Sequence, residues 1–257
     1  MKAVILAGGL GSRISEESHL RPKPMIEIGD RPILWHLMKY YSHFGVNEFV
    51  ICVGYKGYVI KEYFANYVIH SSDVTFDLAN DDVVIHNRMN EPWRVTLVET
   101  GENTQTAGRL RRVRSFLSAD EPFFMTYGDG LADVDLAALL AFHKDQGRDA
   151  TVTVVQPPGR FGVTVIEGER VTWFSEKPEG EGGVINGGFF VLELAALDGI
   201  EGDASVWEEE PLQNLAVSNQ LSAFRHEGYW QPMDTLRDKK RLEQRWLEGN
   251  APWKVWS

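Results

Sequence analysis

Two aspartates from distant parts of the chain have the sequence surroundings of metal ligands. Asp129 lies in YGDG, directly after an apolar segment, and Asp234 lies in QPMDT, just before a segment with helical spacing. An open α/β sheet binds its ligands beyond the carboxyl ends of its strands, which is where Asp129 is expected. Mg²⁺ takes oxygen ligands and keeps several waters, so two carboxylates suit it. Structural roles stay open here: a turn or cap for Asp129, and the N-cap of the last helix for Asp234.

A glycine-rich turn, AGGLGSR at residues 7–13, follows the first apolar segment. Backbone N–H groups in such a turn can converge on a phosphate, and glycine lets a nucleotide approach the main chain. A dinucleotide fingerprint would require glycine three residues after Gly11, where Ile14 stands. A P-loop would continue with Gly-Lys-Ser/Thr at residues 13–15, and it does not. The turn therefore predicts a nucleotide site that belongs to neither a dehydrogenase nor a P-loop NTPase.

A lysine held between two prolines follows this turn, in RPKPM at residues 21–25. The two prolines are expected to hold Lys23 in extended geometry with little backbone freedom. Together with Arg13, Lys23 would form a cationic pair over a triphosphate. Lys177-Pro178 repeats the pattern and predicts a second anionic ligand.

These residues need a scaffold, and apolar periodicity predicts one in which strands and helices alternate. Strands are predicted over residues 2–7, 48–53, 122–127, 150–156 and 221–225, with shorter alternating segments at 73–78, 83–86 and 94–98. Helices are predicted over residues 31–44, 58–68, 107–117, 135–146, 206–218 and 234–248.

This order of elements indicates an α/β fold. Strands separated by helices form right-handed βαβ units, and therefore a Rossmann-like mixed, mainly parallel sheet flanked by helices. Glycines break residues 161–192 into several short strands, which predicts a small antiparallel subregion. No repeat, low-complexity stretch or linker interrupts the pattern, so residues 1–257 are expected to form a single domain.

The composition excludes several classes of protein. Hydrophobic residues at 43% and charged residues at 25% are typical of a packed globule. No apolar run reaches the roughly 18 residues of a membrane span, and the apolar start ends after Ala7 without the features of a signal peptide. A single cysteine, Cys52, excludes an internal disulfide and a cysteine-based zinc site. A net charge of −11 disfavours nucleic acid and anionic membranes as partners. We therefore expect a cytoplasmic protein.

The chain shows no set of residues for nucleophilic catalysis. No Ser/His/Asp or Cys/His arrangement is evident, and the histidines lack the spacing of metal ligands. Surface or packing roles are predicted for His19, His36, His43, His70, His86, His143 and His226.

Five short motifs give the chain a resemblance to the sugar-phosphate nucleotidylyltransferases, in the order that this family has them. They are GGLGSR, RPKPM, YGDG, SEKP at residues 175–178 and INGG at residues 185–188. The segments PPGRFG, QPMDTLRDK and APWK make the chain most similar to family members that use CTP and α-D-glucose 1-phosphate. The resemblance covers essentially residues 1–257. Where the family usually has GGxGTR, this chain has Ser12, which keeps a hydroxyl.

The resemblance implies the nucleotide-diphospho-sugar transferase fold. A nucleotide-binding part would occupy about residues 1–135 and a sugar-binding part about residues 150–235, followed by a C-terminal helix and tail at 235–257. Such an enzyme would transfer the nucleotidyl group of CTP to glucose 1-phosphate, giving CDP-glucose and pyrophosphate, with Mg²⁺ as cofactor. The product would feed the deoxysugars of a surface polysaccharide such as the lipopolysaccharide O-antigen. A homo-oligomer is expected, and the C-terminal tryptophans could serve core packing or a subunit interface.

The resemblance also implies roles for individual residues. The catalytic set would be Arg13, Lys23, Asp129 and Asp234, of which Asp129 and Asp234 carry the metal. The nucleotide would contact Leu6, Ala7, Gly8, Gly9, Leu10, Gly11, Ser12, Arg13, Lys23, Thr104, Arg109 and Gly128. The sugar phosphate would contact Gly162, Glu176, Lys177, Asn186 and Gly187, with Lys177 on the phosphate.

Two alternatives stay open at this stage. Main-chain recognition of a base leaves no trace in the sequence, so the same chemistry could use UTP or dTTP. A non-catalytic sensor of nucleotide sugars would keep the fold, but it would be expected to lose Asp129 or Lys23, and both are present.

Overall fold

A computed structural model describes residues 1–11, 14–87, 91–157, 163–167, 170–175 and 183–256. The predictions made for Ser12, Arg13, Gly162, Glu176 and Lys177 lie outside these residues.

A seven-stranded sheet lies at the centre of the part of the chain that the structure describes. From edge to edge its strands, numbered in chain order, are β14 (Leu221–His226), β10 (Ala150–Val155), β13 (Ile185–Leu192), β8 (Phe123–Tyr127), β1 (Lys2–Leu6), β4 (Glu48–Val53) and β7 (Arg94–Glu99). Strands β8, β1, β4 and β7 are parallel, as are β10 and β14, whereas β13 runs antiparallel to both of its neighbours. The expected mixed, mainly parallel sheet is confirmed.

Smaller antiparallel pairs surround this sheet. They are β2 (Glu27–Ile28) with β3 (Arg31–Pro32), β5 (Asp73–Asp77) with β6 (Asp82–His86), β9 (Gly130–Ala132) with β15 (Trp230–Pro232), and β11 (Val163–Glu167) with β12 (Arg170–Ser175). The helices are α1 (Ser15–Ser18), α2 (Ile33–His43), α3 (Gly57–Ala65), α4 (Tyr67–Ser71), α5 (Thr106–Val113), α6 (Leu136–Gln146), α7 (Glu210–Val217) and α8 (Leu236–Leu247).

Helices cover both faces of the sheet, as the alternation along β1 shows. Side chains of successive residues point to opposite faces of a strand. Ala3 and Ile5 join a buried cluster with residues of α2, α6 and α8, whereas Val4 and Leu6 join a second one with residues of α5 and α7. An almost unbroken apolar strand is what a sheet buried on both sides requires.

The order of the strands reverses at β1, and this reversal opens a crevice at the carboxyl ends of the parallel strands. After β1 the chain adds β4 on one side and later β8 on the other. Leu6 is in register with Tyr127, and the Gly128 amide donates to the Leu6 carbonyl at 3.0 Å. The glycine turn after β1 and the YGDG turn after β8 therefore lie side by side. Open α/β sheets bind ligands at such reversal points.

Three predicted helices differ in detail from the structure. The helix expected at 58–68 is divided at Asn66, whose backbone leaves helical geometry at ψ 3°. The helix expected at 107–117 ends at Val113 and continues as a short 3₁₀ turn, Arg114–Phe116. The helix expected at 206–218 begins at Glu210, because the preceding residues bring the Trp207 side chain into the core, where it is 0% exposed.

The C-terminal tail packs on α2 through buried aromatic rings. The Trp253 indole is 0% exposed and donates to His36 Nδ1 at 3.4 Å, while His36 Nε2 lies 2.7 Å from the Ile28 carbonyl oxygen. Burial lowers the pKa of His36 to about 4, so the ring is neutral and Nε2 donates. The packing role predicted for His36 is confirmed. Among the described residues, no helix combines the length and apolar character needed to cross a membrane.

Candidate functional site

The glycine turn after β1 is braced by a buried arginine of α5. Arg109 is 4% exposed, and its guanidinium donates to the Gly8 carbonyl at 2.9 Å and to the Gly101 carbonyl at 2.8 Å. A Cβ atom on Gly8 would lie 2.0 Å from Arg109 Nη1, so a side chain at position 8 would displace the guanidinium from its hydrogen bonds. The Gly8 carbonyl also accepts from the Tyr55 amide at 3.2 Å. These bonds hold the loop that precedes α5 against the glycine turn.

Lys23 lies at the base of the crevice and contacts both predicted metal ligands. Its Nζ atom is 2.6 Å from Asp129 Oδ2 and 2.9 Å from Asp234 Oδ1. The residue is 8% exposed. Pro22 before it is extended, but Lys23 begins a short 3₁₀ turn, Lys23–Met25, in which the Ile26 amide donates to the Lys23 carbonyl at 3.1 Å. The extended geometry expected for Lys23 is therefore wrong. Burial lowers the pKa of Lys23, but the two carboxylates outweigh that effect and raise it above the ordinary value. The lysine is therefore charged and offsets the two carboxylates.

A pairing that sequence reasoning did not predict brings the two aspartates together. Strand β9 follows Asp129 directly, and β15 ends two residues before Asp234. The two strands are antiparallel, with Gly130 opposite Pro232, and the Met233 amide donates to the Asp129 carbonyl at 2.8 Å. This short ladder places residues that are about a hundred positions apart on either side of one ammonium group.

Asp234 is not the N-cap of the last helix, which was its alternative role. Thr235 caps α8, with its side chain accepting from the Asp238 amide and the Asp238 carboxylate accepting in return from the Thr235 amide. Asp234 is thereby left to face Lys23.

A cavity of about 340 Å³ lies above this cluster. Most of the residues predicted for the nucleotide line it: Leu6, Ala7, Gly8, Gly9, Gly11, Lys23, Thr104, Arg109 and Gly128, together with Asp129 and Asp234. Leu10 does not line this cavity, and its side chain is 54% exposed.

A second cavity of about 600 Å³ adjoins the first. The two share Thr106, Tyr127, Asp129 and Asp234 in their walls. Asn186 and Gly187, predicted for the sugar phosphate, line the second cavity. They do so because the first residues of β13 extend beyond the carboxyl end of β8, where the crevice lies. The carboxylates thus stand where two neighbouring ligand sites meet.

Comparison with known proteins agrees with this arrangement. The family model described as nucleotidyl transferase matches residues 2–235. The chain belongs to the nucleotidyl transferase family. It is 58% identical over 256 residues to the glucose-1-phosphate cytidylyltransferases of Salmonella typhi and of Salmonella typhimurium, with 100% of each chain covered. Among solved structures, HddC from Yersinia pseudotuberculosis has the same fold, with a TM-score of 0.67 and 22% identity over 95% of this chain and 99% of that one.

In this nucleotidyl transferase the donor set at the crevice fits a magnesium ion. Asp129 and Asp234 present hard carboxylate oxygens to one point, now occupied by the Lys23 ammonium. The described residues contain no group of three or more His, Cys, Asp or Glu side chains that could enclose a metal. Mg²⁺ is usually held by one or two carboxylates, with waters and substrate phosphates completing its shell. Two carboxylates beside a phosphate-sized cavity match that pattern.

Sequence reasoning missed most residues of the transferase's second cavity, including three whose side chains can donate or accept hydrogen bonds. Tyr127, Glu208 and Trp230 line it, and the Trp230 indole donates to the Gly187 carbonyl at 2.7 Å. Tyr127 stands beside Gly128 in YGDG and could have been noticed there. Glu208 gave no signal, because it lies in a run of three glutamates that is typical of a solvated surface.

Proposed function

We propose that this nucleotidyl transferase joins CTP and α-D-glucose 1-phosphate to form CDP-glucose and pyrophosphate. The observation that carries the proposal is that two cavities meet at Asp129 and Asp234. The glycine turn and Lys23 line the first of these cavities. The choice of substrates is supported by the name and the 58% identity of the Salmonella relatives over the full chain.

The proposed reaction needs no protein nucleophile. The phosphate of the sugar substrate is already ionised, so one of its oxygens attacks the α-phosphorus of CTP in line. A new P–O bond forms as the bond to the β-phosphate oxygen breaks, and the electron pair leaves with pyrophosphate. Catalysis is then positioning together with neutralisation of charge. The lack of a nucleophilic set in the sequence is consistent with this chemistry.

Individual residues divide the work in this proposal. Lys23 aligns the α-phosphate from the base of the nucleotide cavity, and Arg13 stabilises the leaving pyrophosphate. Lys177 holds the attacking phosphate, and Asn186 contacts the sugar hydroxyls. Asp129 and Asp234 hold the cofactor Mg²⁺, which when bound supplies Lewis-acid polarisation of phosphate oxygens.

The contacts of Gly8 limit which backbone carbonyl can accept a hydrogen bond from cytosine. The amino group of cytosine needs an acceptor, and a carbonyl of the glycine turn is a candidate. The Gly8 carbonyl already accepts from Arg109 and Tyr55, which fills its two lone pairs. We therefore infer that Ala7 or Gly9 supplies the acceptor if the turn reads the base.

Pyrophosphate release with each nucleoside triphosphate and glucose 1-phosphate tests the proposed function. We expect CTP to exceed UTP and dTTP at least about tenfold in kcat/KM, because uracil and thymine offer a carbonyl where cytosine offers an amino donor. Preference for UTP or dTTP would overturn the choice of base. An absence of release with any triphosphate in the presence of Mg²⁺ would favour the non-catalytic sensor.

We further propose that the chain forms a homo-oligomer through the hairpin of β5 and β6. Phe76 and Val83 are paired across the hairpin and are 54% and 48% exposed, and Leu78 at its turn is 91% exposed. Clustered exposed apolar side chains mark interaction surfaces more often than scattered ones do.

Replacing Phe76 and Val83 together by serine and threonine is expected to lower the molecular mass measured by analytical ultracentrifugation to that of the monomer. Leu247→Ser is the matched control, because Leu247 is an exposed leucine (75%) outside the hairpin. If the double variant sediments like the unchanged chain, the hairpin is not the interface.

A further inference from the structure

Glu208 is an exposed carboxylate in the wall of the second cavity. It is hydrogen-bonded to two residues, Thr106 and Tyr127, that line both cavities. It precedes α7, and Thr106 Oγ1 donates to its Oε2 atom at 2.7 Å. The Tyr127 hydroxyl donates to its other oxygen, Oε1. A single side chain thus holds two groups that come from different strands and helices.

The first partner, Thr106, lines both cavities and begins the helix that follows the nucleotide loop. Thr106 is the first residue of α5, two positions after Thr104, which lines the nucleotide cavity. The Thr106 hydroxyl also accepts from the Trp207 amide at 2.8 Å, which fixes its position relative to Glu208. The loop expected to close over the base is therefore tied to Glu208 where it enters the helix.

The second partner, Tyr127, also lines both cavities, and its hydroxyl contacts Asn186 of the second one. Tyr127 ends β8 two residues before Asp129, and its hydroxyl accepts from Asn186 Nδ2 at 3.4 Å. Its ring lies close to the chain at Gly188, where φ is +79° and a Cβ atom would lie 2.7 Å from the ring. Burial, together with the Glu208 carboxylate, raises the pKa of Tyr127, so the phenol keeps the proton that it donates.

We propose that Glu208 is a positioning residue that couples the two substrates: by holding Thr106 and Tyr127 at once, it orders the wall that receives glucose 1-phosphate when the nucleotide is bound. The inference rests on the proposed function and adds to it, because nothing in the chemistry of transfer requires the two ligands to bind cooperatively. Coupling is reciprocal, so the sugar phosphate also favours the loop position that holds the base.

Calorimetric titration tests this coupling without turnover. Glucose 1-phosphate is titrated into the full chain with Mg²⁺, with and without saturating α,β-methylene-CTP, in which a carbon bridge replaces the oxygen of the bond that breaks. The ratio of the two dissociation constants is the coupling factor. We expect the unchanged chain to bind the sugar phosphate about fivefold or more tightly with the analogue present.

Two nearly isosteric variants remove the proposed link. In Glu208→Gln the amide cannot accept hydrogen bonds from both partners on separate oxygens. Tyr127→Phe removes the hydroxyl that donates to Glu208. Each single variant is expected to bring the coupling factor to about one. The variant that carries both substitutions is expected to show the same factor, because the two residues act through one contact. Glu209→Gln, which neutralises the next exposed carboxylate, is expected to keep the full coupling factor.

Other outcomes overturn the proposal. They are a coupling factor of one in the unchanged chain, unchanged coupling in either folded variant, or an equal loss of sugar-phosphate affinity with and without the analogue. The last result would indicate a direct contact or a structural role. If the pyrophosphate assay selects another triphosphate, its methylene analogue replaces that of CTP, so Glu208 is judged separately from the choice of base.

Discussion

Replacing Asp129 by asparagine is expected to lower kcat about a thousandfold or more while the chain stays folded. Asparagine keeps the size of the side chain but loses the charge that a hard cation requires, and such a loss removes several kcal/mol of stabilisation of the transition state. The side chain of Asp129 is 31% exposed, so its amide remains partly solvated. Lys23 retains Asp234 as a partner at 2.9 Å. Initial rates of pyrophosphate release and a thermal melt measure the two effects.

The control for this variant is Asp145→Asn, which removes one negative charge from an exposed position on α6. It is expected to change the rate little, since exposed charges outside the site are screened by solvent. Asp234→Asn is expected to act in the same direction as Asp129→Asn, because both carboxylates face one point. Retention of a tenth of the activity by Asp129→Asn at saturating Mg²⁺ would contradict the assignment of Asp129 as a metal ligand.

Local patterns were sufficient to predict the elements that form the crevice. The apolar runs of β1, β4 and β8 signal strands buried on both faces, and the glycines at the end of β1 signal a turn that approaches a ligand. The helical period at 31–44 gives α2 within a few residues. These predictions succeed because each depends on neighbours within one element.

Features that depend on register between distant segments could not be predicted. The strands β9 and β15 are three residues each, too short to show a period, yet their pairing brings Asp129 and Asp234 together. The role of Asp234, metal ligand or N-cap of α8, was equally open, because aspartate caps helices well. The direction in which the chain leaves β15 determines that Asp234 faces Lys23 and that Thr235 caps α8.

The role of Lys23 leads to the second large expected effect. Lys23→Ala removes a cation that lies within 2.9 Å of two carboxylates, and it leaves these partly buried carboxylates facing each other. Its melting temperature is expected to fall, and to recover in part with Mg²⁺, because a cation again offsets the two charges. This measurement shows whether the variant is folded before its kinetics are interpreted.

In kinetics, Lys23→Ala is expected to shift the CTP saturation curve, whereas Lys177→Ala is expected to shift the curve for glucose 1-phosphate. Lys23 lines the cavity of the glycine turn, whereas Lys177 follows β12 in the sequence, within the part that we propose binds the sugar phosphate. A charge-assisted contact to phosphate contributes about 1.5–3 kcal/mol, or roughly 10- to 150-fold in the constant that it affects. Loss of a contact that tightens in the transition state also lowers kcat, so the two variants are distinguished by which substrate's saturation curve moves. If Lys177→Ala moved only the CTP curve, the division of the site into a nucleotide half and a sugar half would be wrong, since both lysines would then act on one ligand.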